Sequence, residues 1–316
     1  MSLSGGLTGA NKIDDTRWEH QRLEVDSTPS GVEPSISLHY IECPPPPSQS
    51  PSPKGTILLV HGFPQTSYQF RRVITPLSDA GYRVIAPDYR GAGDSTKPWN
   101  GYTKDVMARD LRNLMEKLDV KDKVHLVGHD IGGMIVHAYA TLYPEATASV
   151  TWGECPLPGS TFYHNTKNSP LVWHFTFHAV PDLPEALVQG REKIYLKHFF
   201  ERLGQNPAAI SNHDLDVYAT AYAQPGAMRC GFNVYRTFET DGEMNVGWVR
   251  EKGKSKVRCL ALWGEKSFAG EKEAVEMAGE FYEDVEFGSV GKAGHWIAEE
   301  RPGEFVDAVL RWIGRG

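Results

Sequence analysis

The stretch Gly128-His129-Asp130-Ile131-Gly132-Gly133 constrains this chain more than any other. Before it, Val124–Val127 is a short β-forming run, apolar apart from His125. After it, residues 131–143 place Ile131, Met134, Ile135, Ala138 and Leu142 on one helical face. Strand, tight turn and helix form the setting of an elbow of the Gly-x-nucleophile-x-Gly type; the plain alternative is an ordinary βα turn with a polar tip. Glycines 128, 132 and 133 are expected to let the backbone turn sharply and bring helix close to strand. The apex residue is an aspartate where such elbows usually carry serine. A carboxylate attacking an ester would give an unstable anhydride. It is better suited to displacing a leaving group from saturated carbon, which leaves an alkyl ester on the protein.

The rest of the chain repeats the α/β rhythm. Residues 18–25 and 36–43 read as two antiparallel strands, and Thr56–Val60 as a fully buried one. Residues 67–80 read as a helix, 82–86 as a strand, 103–118 as an amphipathic helix and 148–152 as a strand. Strands at 257–262 and 285–287 follow much later. A helix over 302–313 closes the chain, with Phe305, Val309, Trp312 and Ile313 on its apolar side. Strands alternating with helices imply a mostly parallel sheet covered on both faces. The long gap between the strands at 152 and 257 breaks the rhythm. It is rich in aromatic residues and punctuated by proline, and reads as an inserted helical cap. The expected division is 1–155 for the first part of the core, 156–240 for the cap and 241–316 for the second part. The first ~12 residues, small and polar, are expected to be disordered. The Pro- and Ser-dense stretch 44–53 is read as a solvated connector in preference to a polyproline ligand.

Composition removes several function classes. With 316 residues, 40% of them hydrophobic, the chain can form one large domain with an insertion. A net charge of −7 argues against a nucleic-acid surface, and Lys252, Lys254 and Lys256 read as a solvated loop. No apolar run approaches the roughly 20 residues needed to span a bilayer. Four widely spaced cysteines, without metal-type pairing, fit a reducing compartment. Together with an N-terminus that lacks the apolar centre of a signal peptide, this places the protein in the cytoplasm.

Further motifs supply partners for Asp130. In an α/β-hydrolase layout the loop His61-Gly62-Phe63-Pro64 borders the nucleophile. The backbone N–H groups of Phe63 and Ile131 could then converge as an oxyanion hole, with His61 structural. Gly294-His295-Trp296 follows the last strand, where such a fold delivers its histidine. Asp130 is already ionised at neutral pH, so His295 need only activate the water that cleaves the ester. The acid that orients it is either Glu154, after the strand at 148–152, or Glu265, after the strand at 257–262. Glu154 is preferred, because the position where an aspartate would accompany Glu265 is Ser267.

Together with Asp88-Tyr-Arg-Gly-Ala-Gly-Asp-Ser95, these motifs resemble the epoxide hydrolase branch of the α/β-hydrolases from about Trp18 onward. Within that branch, Glu-Cys-Pro-Leu-Pro at 154–158, Leu171-Val-Trp-His-Phe175 and Phe232-Asn-Val-Tyr-Arg236 are most similar to the Cif-like subgroup. The resemblance implies an acid after the earlier strand, which matches Glu154. It also implies a ring-opening pair of one histidine and one tyrosine, carried here onto His174 and Tyr235. Spacing alone leaves both open: His174 could be a buried core histidine, and Tyr218 and Tyr222 lie nearby.

The leaving group separates the candidate reactions. An opened epoxide is an alkoxide that needs a strong donor, and a phenol with an imidazole N–H suits it. A halide needs only N–H donors. The tryptophan that haloalkane dehalogenases usually place after the nucleophile is Ile131 here, and the asparagine they often place after His-Gly is Phe63. Gln65 is shared with fluoroacetate dehalogenases, but the arginines they carry after the nucleophile are missing at 131–134. The expectation is an epoxide hydrolase acting on a small-molecule epoxide, with no metal or organic cofactor. A hydrolytic dehalogenase and a non-catalytic small-molecule receptor are the alternatives.

Overall fold

The computed structural model describes residues 16–25, 35–47 and 53–315. The expected disorder over the first residues lies outside this range, as does the middle of the proline-rich connector. Among the described residues eight strands form one sheet: β1 (Glu19–Val25), β2 (Ile36–Cys43), β3 (Thr56–Val60), β4 (Arg83–Pro87), β5 (Val124–His129), β6 (Thr147–Gly153), β7 (Cys259–Gly264) and β8 (Val285–Val290). Their spatial order is β1-β2-β4-β3-β5-β6-β7-β8. β1–β2 and β2–β4 pair antiparallel, and every other pair is parallel.

Burial explains this order. β3 and β7 are buried along their whole length and β5 and β6 nearly so, as expected for central parallel strands with helices on both faces. β1 is exposed over most of its length and carries Glu19, Arg22 and Glu24, charges that discourage pairing at a free sheet edge. On one face, helices Lys104–Lys117, Ile131–Leu142 and Glu271–Gly279 contribute Leu111, Ile135 and Met277 to the core. On the other, helices Ile74–Asp79 and Pro302–Ile313 contribute Leu77, Phe305, Val309 and Trp312.

One expected helix is broken. Residues 67–80 form a 3₁₀ turn, Ser67–Phe70, capped by the Thr66 side chain, and a separate short helix, Ile74–Asp79. Pro76 is the third residue of that second helix. Its missing N–H falls in the first turn, where no intrahelical partner is needed; one continuous helix would have lost a bond there.

Between β6 and β7 the chain leaves the sheet and forms seven α-helices: Thr161–Thr166, Trp173–Ala179, Leu183–Val188, Glu192–Leu203, Asn212–Tyr222, Ala227–Arg236 and Phe238–Lys252. The sequence-based boundary at 240 falls inside the last of these. Buried ionic contacts fasten this insertion to the sheet domain. Lys104 Nζ bonds Asp241 Oδ2 at 2.7 Å. Glu299 accepts from Arg71 Nη1 at 2.6 Å and from the Tyr218 hydroxyl at 2.5 Å. Tyr218 is therefore tied into this buried clasp.

Candidate active site

The elbow forms at the end of β5. Asp130 has φ 53° and ψ −123°, a region that ordinary side chains avoid at a cost of roughly 1–3 kcal/mol. The sharp turn therefore falls on the apex residue itself and not on the neighbouring glycines. Those glycines permit close packing instead. A Cβ on Gly132 would lie 2.0 Å from the Val60 carbonyl oxygen, and one on Gly128 2.3 Å from that of Gly132.

This turn brings the Asp130 carboxylate to the His61–Pro64 loop, where the Phe63 N–H donates to Oδ2 at 2.9 Å. Burial raises the Asp130 carboxyl to about 6, against the opposing effects of the His295 charge and of bonds from the Ile131 and Phe63 N–H groups. Of the two N–H groups expected to converge, that of Phe63 bonds this carboxylate directly, and that of Ile131 favours its charged form. His61 is fully buried, bonded through Nδ1 to the Gly62 carbonyl at 3.0 Å and stacked on Tyr89, as a structural residue would be.

His295 Nδ1 lies 3.0 Å from Glu154 Oε2. Glu154, at a second positive-φ turn after β6 (φ 62°), is buried. Its Oε1 also accepts from the Gly264 N–H at 2.6 Å, and its Oε2 from the Ser267 hydroxyl at 2.5 Å. Glu265 points elsewhere, to Lys266 Nζ at 2.8 Å and to the Lys292 N–H at 2.8 Å. Of the two candidate acids, the structure brings only Glu154 to the imidazole. Burial disfavours a charged His295, but its bond to Glu154 and the charges of Glu154 and Asp130 outweigh this, so His295 sits above its ordinary value. Burial raises Glu154 as well, restrained by its bonds to His295, Gly264 and Ser267.

The histidine loop is held by a residue that sequence reasoning missed. The Glu300 carboxylate accepts the N–H groups of Gly294, Trp296, Gln205 and Asn206 at 2.8–3.2 Å. The only sequence signal was a carboxylate five residues after His295, which is a weak one. His129, beside the nucleophile, donates to the His295 carbonyl at 2.7 Å.

The helical insertion closes over this arrangement. His174, on helix Trp173–Ala179, and Tyr235, on helix Ala227–Arg236, line one cavity with Phe63, Asp130, Glu154 and His295. Their rings lie edge to face, 5.6 Å between centroids. Leu171, Val172, Phe175, Phe199 and Phe268 make the remaining wall largely apolar. Among the described residues neither the His174 ring nor the Tyr235 hydroxyl has a hydrogen-bond partner, so both polar heads are free for a ligand. Burial, with the positive charges of His295, Arg202 and His198, lowers His174 to about 3. Burial and the Asp130 charge raise Tyr235 well above the usual tyrosine range. At neutral pH both are uncharged and both can donate. Tyr222, a competing tyrosine, turns its hydroxyl to the Gln65 carbonyl at 3.3 Å. His178, one helical turn after His174, packs against Tyr235 with centroids 4.4 Å apart and bonds the Tyr195 hydroxyl at 2.6 Å. Its i,i+4 spacing from His174 was the available signal for it.

An eight-stranded, mostly parallel sheet with an elbow after β5, an acid after β6 and a histidine after β8 defines an α/β hydrolase. The sequence pattern of the α/β hydrolase fold family matches residues 55–302, and the chain belongs to that family. It is 32% identical to the soluble epoxide hydrolase of Corynebacterium sp. (strain C12) over 263 residues, covering 81% of this chain and 89% of that one. The crystal structure of Cfl2 from Burkholderia cenocepacia superposes with a TM-score of 0.84 at 29% identity, over 95% of this chain and 98% of that one. The epoxide hydrolase CorEH superposes with a TM-score of 0.81 at 27% identity, over 94% and 99%. No helix among the described residues is long and apolar enough to cross a membrane.

Proposed function

We propose that this protein is an epoxide hydrolase that opens an epoxide to a vicinal diol through an ester on Asp130. The observation that carries the reading is the shared cavity: a carboxylate and an oriented imidazole on one side, two unpartnered neutral donors on the other. The helical insertion acts as a cap that brings those donors to the sheet domain and keeps bulk water out.

In the first half-reaction the Tyr235 hydroxyl and His174 N–H bond the epoxide oxygen. Phe63 holds Asp130 Oδ2, so Oδ1 attacks a ring carbon. The carbon–oxygen bond breaks, the electron pair goes to oxygen, and a proton from Tyr235 neutralises the alkoxide. A hydroxyalkyl ester remains. Forming it removes the negative charge of Asp130, one of the charges that favour a protonated His295. The imidazole therefore becomes more readily neutral when a base is needed. Its Nδ1–H is held by Glu154, which leaves the Nε2 lone pair to take a proton from water. Hydroxide adds to the ester carbonyl, and the N–H groups of Phe63 and Ile131 stabilise the oxyanion. Collapse expels the diol as its alkoxide, which takes the proton of the added hydroxyl and leaves Asp130 a carboxylate; once the diol has left, the proton on His295 returns to the tyrosinate.

The apolar wall favours an epoxide with a hydrocarbon body, and the mechanism draws on no metal or organic cofactor. Cys155, Cys230 and Cys259 are buried free thiols, which supports a cytoplasmic location. The test is His295→Gln incubated with a panel of small epoxides and weighed intact. Expected is an added substrate mass that maps to Asp130. An unmodified variant together with inactive wild type across the panel would overturn the reading. Halide release from haloalkanes without diol formation would redirect it to a dehalogenase.

A further inference from the structure

Ser267 stands where the strand end after β7 was expected to carry an aspartate. It belongs to a turn fixed on two sides: its own N–H bonds the Gly264 carbonyl at 3.1 Å, and the Lys266 N–H bonds the Ala293 carbonyl at 2.8 Å, next to the histidine loop. This turn aims the hydroxyl at Glu154. An ionised carboxylate can only accept, so the serine must donate. Glu154 thus takes the Gly264 N–H on Oε1, and both Ser267 Oγ–H and His295 Nδ1–H on Oε2.

We propose that Ser267 is a positioning residue for the Glu154–His295 pair: its hydroxyl fixes which carboxylate oxygen faces the imidazole and tempers that oxygen's pull on the Nδ1 proton. The catalytic consequence rests on the reading of His295 as the base for ester hydrolysis. An oxygen shared by two donors is less basic than one bonded to a single donor. Without the hydroxyl, Oε2 pulls harder on Nδ1–H and the charged imidazole is favoured. His295 would then hold its proton to higher pH, and less of it would be free to activate water at neutral pH. The other groups that face His295, namely Asp130, Glu300, His129 and His174, are left unaltered by a substitution at Ser267.

The test is an NMR titration of the His295 ring in unreacted wild type, Ser267→Ala and Ser267→Thr. The Gly264–Ser267 backbone bond survives both changes. Expected is an upward shift of the midpoint in Ser267→Ala, on the order of half a unit to one unit, and a wild-type midpoint in Ser267→Thr, which keeps the hydroxyl. In single turnovers Ser267→Ala should form the Asp130 ester at the wild-type rate and hydrolyse it roughly tenfold more slowly at neutral pH. An unshifted midpoint in Ser267→Ala, with ester formed and hydrolysed normally, overturns the role of Ser267 alone. A shifted midpoint in a protein that never forms an ester upholds the coupling to Glu154 and overturns the epoxide hydrolase reading instead.

Discussion

The two halves of the cavity are built on opposite principles. On the sheet side, polar groups are engaged before any ligand arrives. Asp130 is held by Phe63, Glu154 takes three donors, His295 is fixed through Nδ1, and Glu300 clamps the loop that carries it. On the insertion side, His174 and Tyr235 sit in aromatic packing with their polar atoms unengaged. Phe199 lies 5.2 Å from the His174 ring, and Phe63 5.6 Å from that of Tyr235. The first arrangement fixes geometry by hydrogen bonds and couples charges. The second fixes two rings by shape and leaves their donors free. Stabilising charge that appears only during reaction calls for donors already in place, whereas receiving a new oxygen calls for donors without a prior partner. On this reading the sheet side serves both half-reactions and the insertion side only ring opening.

Asp130→Asn breaks the comparison most severely, because it removes the group that both halves serve. Turnover should fall on the order of 10⁴-fold or more, with no ester detected by intact mass. Glu154→Gln is next. It removes the acceptor of Nδ1–H, and should slow ester hydrolysis about 10³-fold in single-turnover assays while ester still accumulates. Glu265→Gln, whose carboxylate faces Lys266, should behave as wild type in the same assay. Equal effects at 154 and 265 would dissolve the distinction between the two acids. Tyr235→Phe should act in the opposite sense, slowing ester formation about 10²-fold and leaving the hydrolysis step untouched.

The same contrast governs what was legible in the sequence. The sheet side could be read because its chemistry sits at strand ends, and strands buried on both faces announce themselves as apolar runs such as Thr56–Val60. Asp130 and Glu154 each follow a buried strand, His295 follows the half-exposed last strand β8, and the structure places all three in one cavity. Helix 302–313 was readable from its apolar stripe and agrees to the residue. Residues 67–80 misled because their apolar pattern fits a helix and only Pro76 marks the break. In the insertion the aromatic residues point inward from several short helices, so no single period reveals His174 or Tyr235. Family resemblance supplied them, and geometry shows them facing the same space as Asp130. Glu300 and Ser267 act through bonds to groups distant in sequence, which letters do not display, although the serine at an expected acid position was a usable sign.

The smallest effects concern charge coupling, and they sharpen the comparison most finely. Asp130 must be ionised to attack. Burial raises its carboxyl to about 6, so ester formation should decline as pH falls through that value, approaching tenfold per unit below it. His295 must be neutral to act as a base, and its ordinary value is raised in part by the Asp130 charge. Asp130→Asn mimics the neutral ester without reacting. The His295 midpoint, followed by ring proton shifts, should therefore move down in that variant, because a charge favouring the protonated imidazole is gone while Glu154 remains. Tyr235→Phe exchanges one uncharged ring for another and should leave the midpoint where it is. A downward shift in the first variant with none in the second would show that the sheet side is electrically coupled to the base and the insertion side is not. Equal shifts in both would mean that the two sides form one coupled network, and that the division of labour between them does not hold.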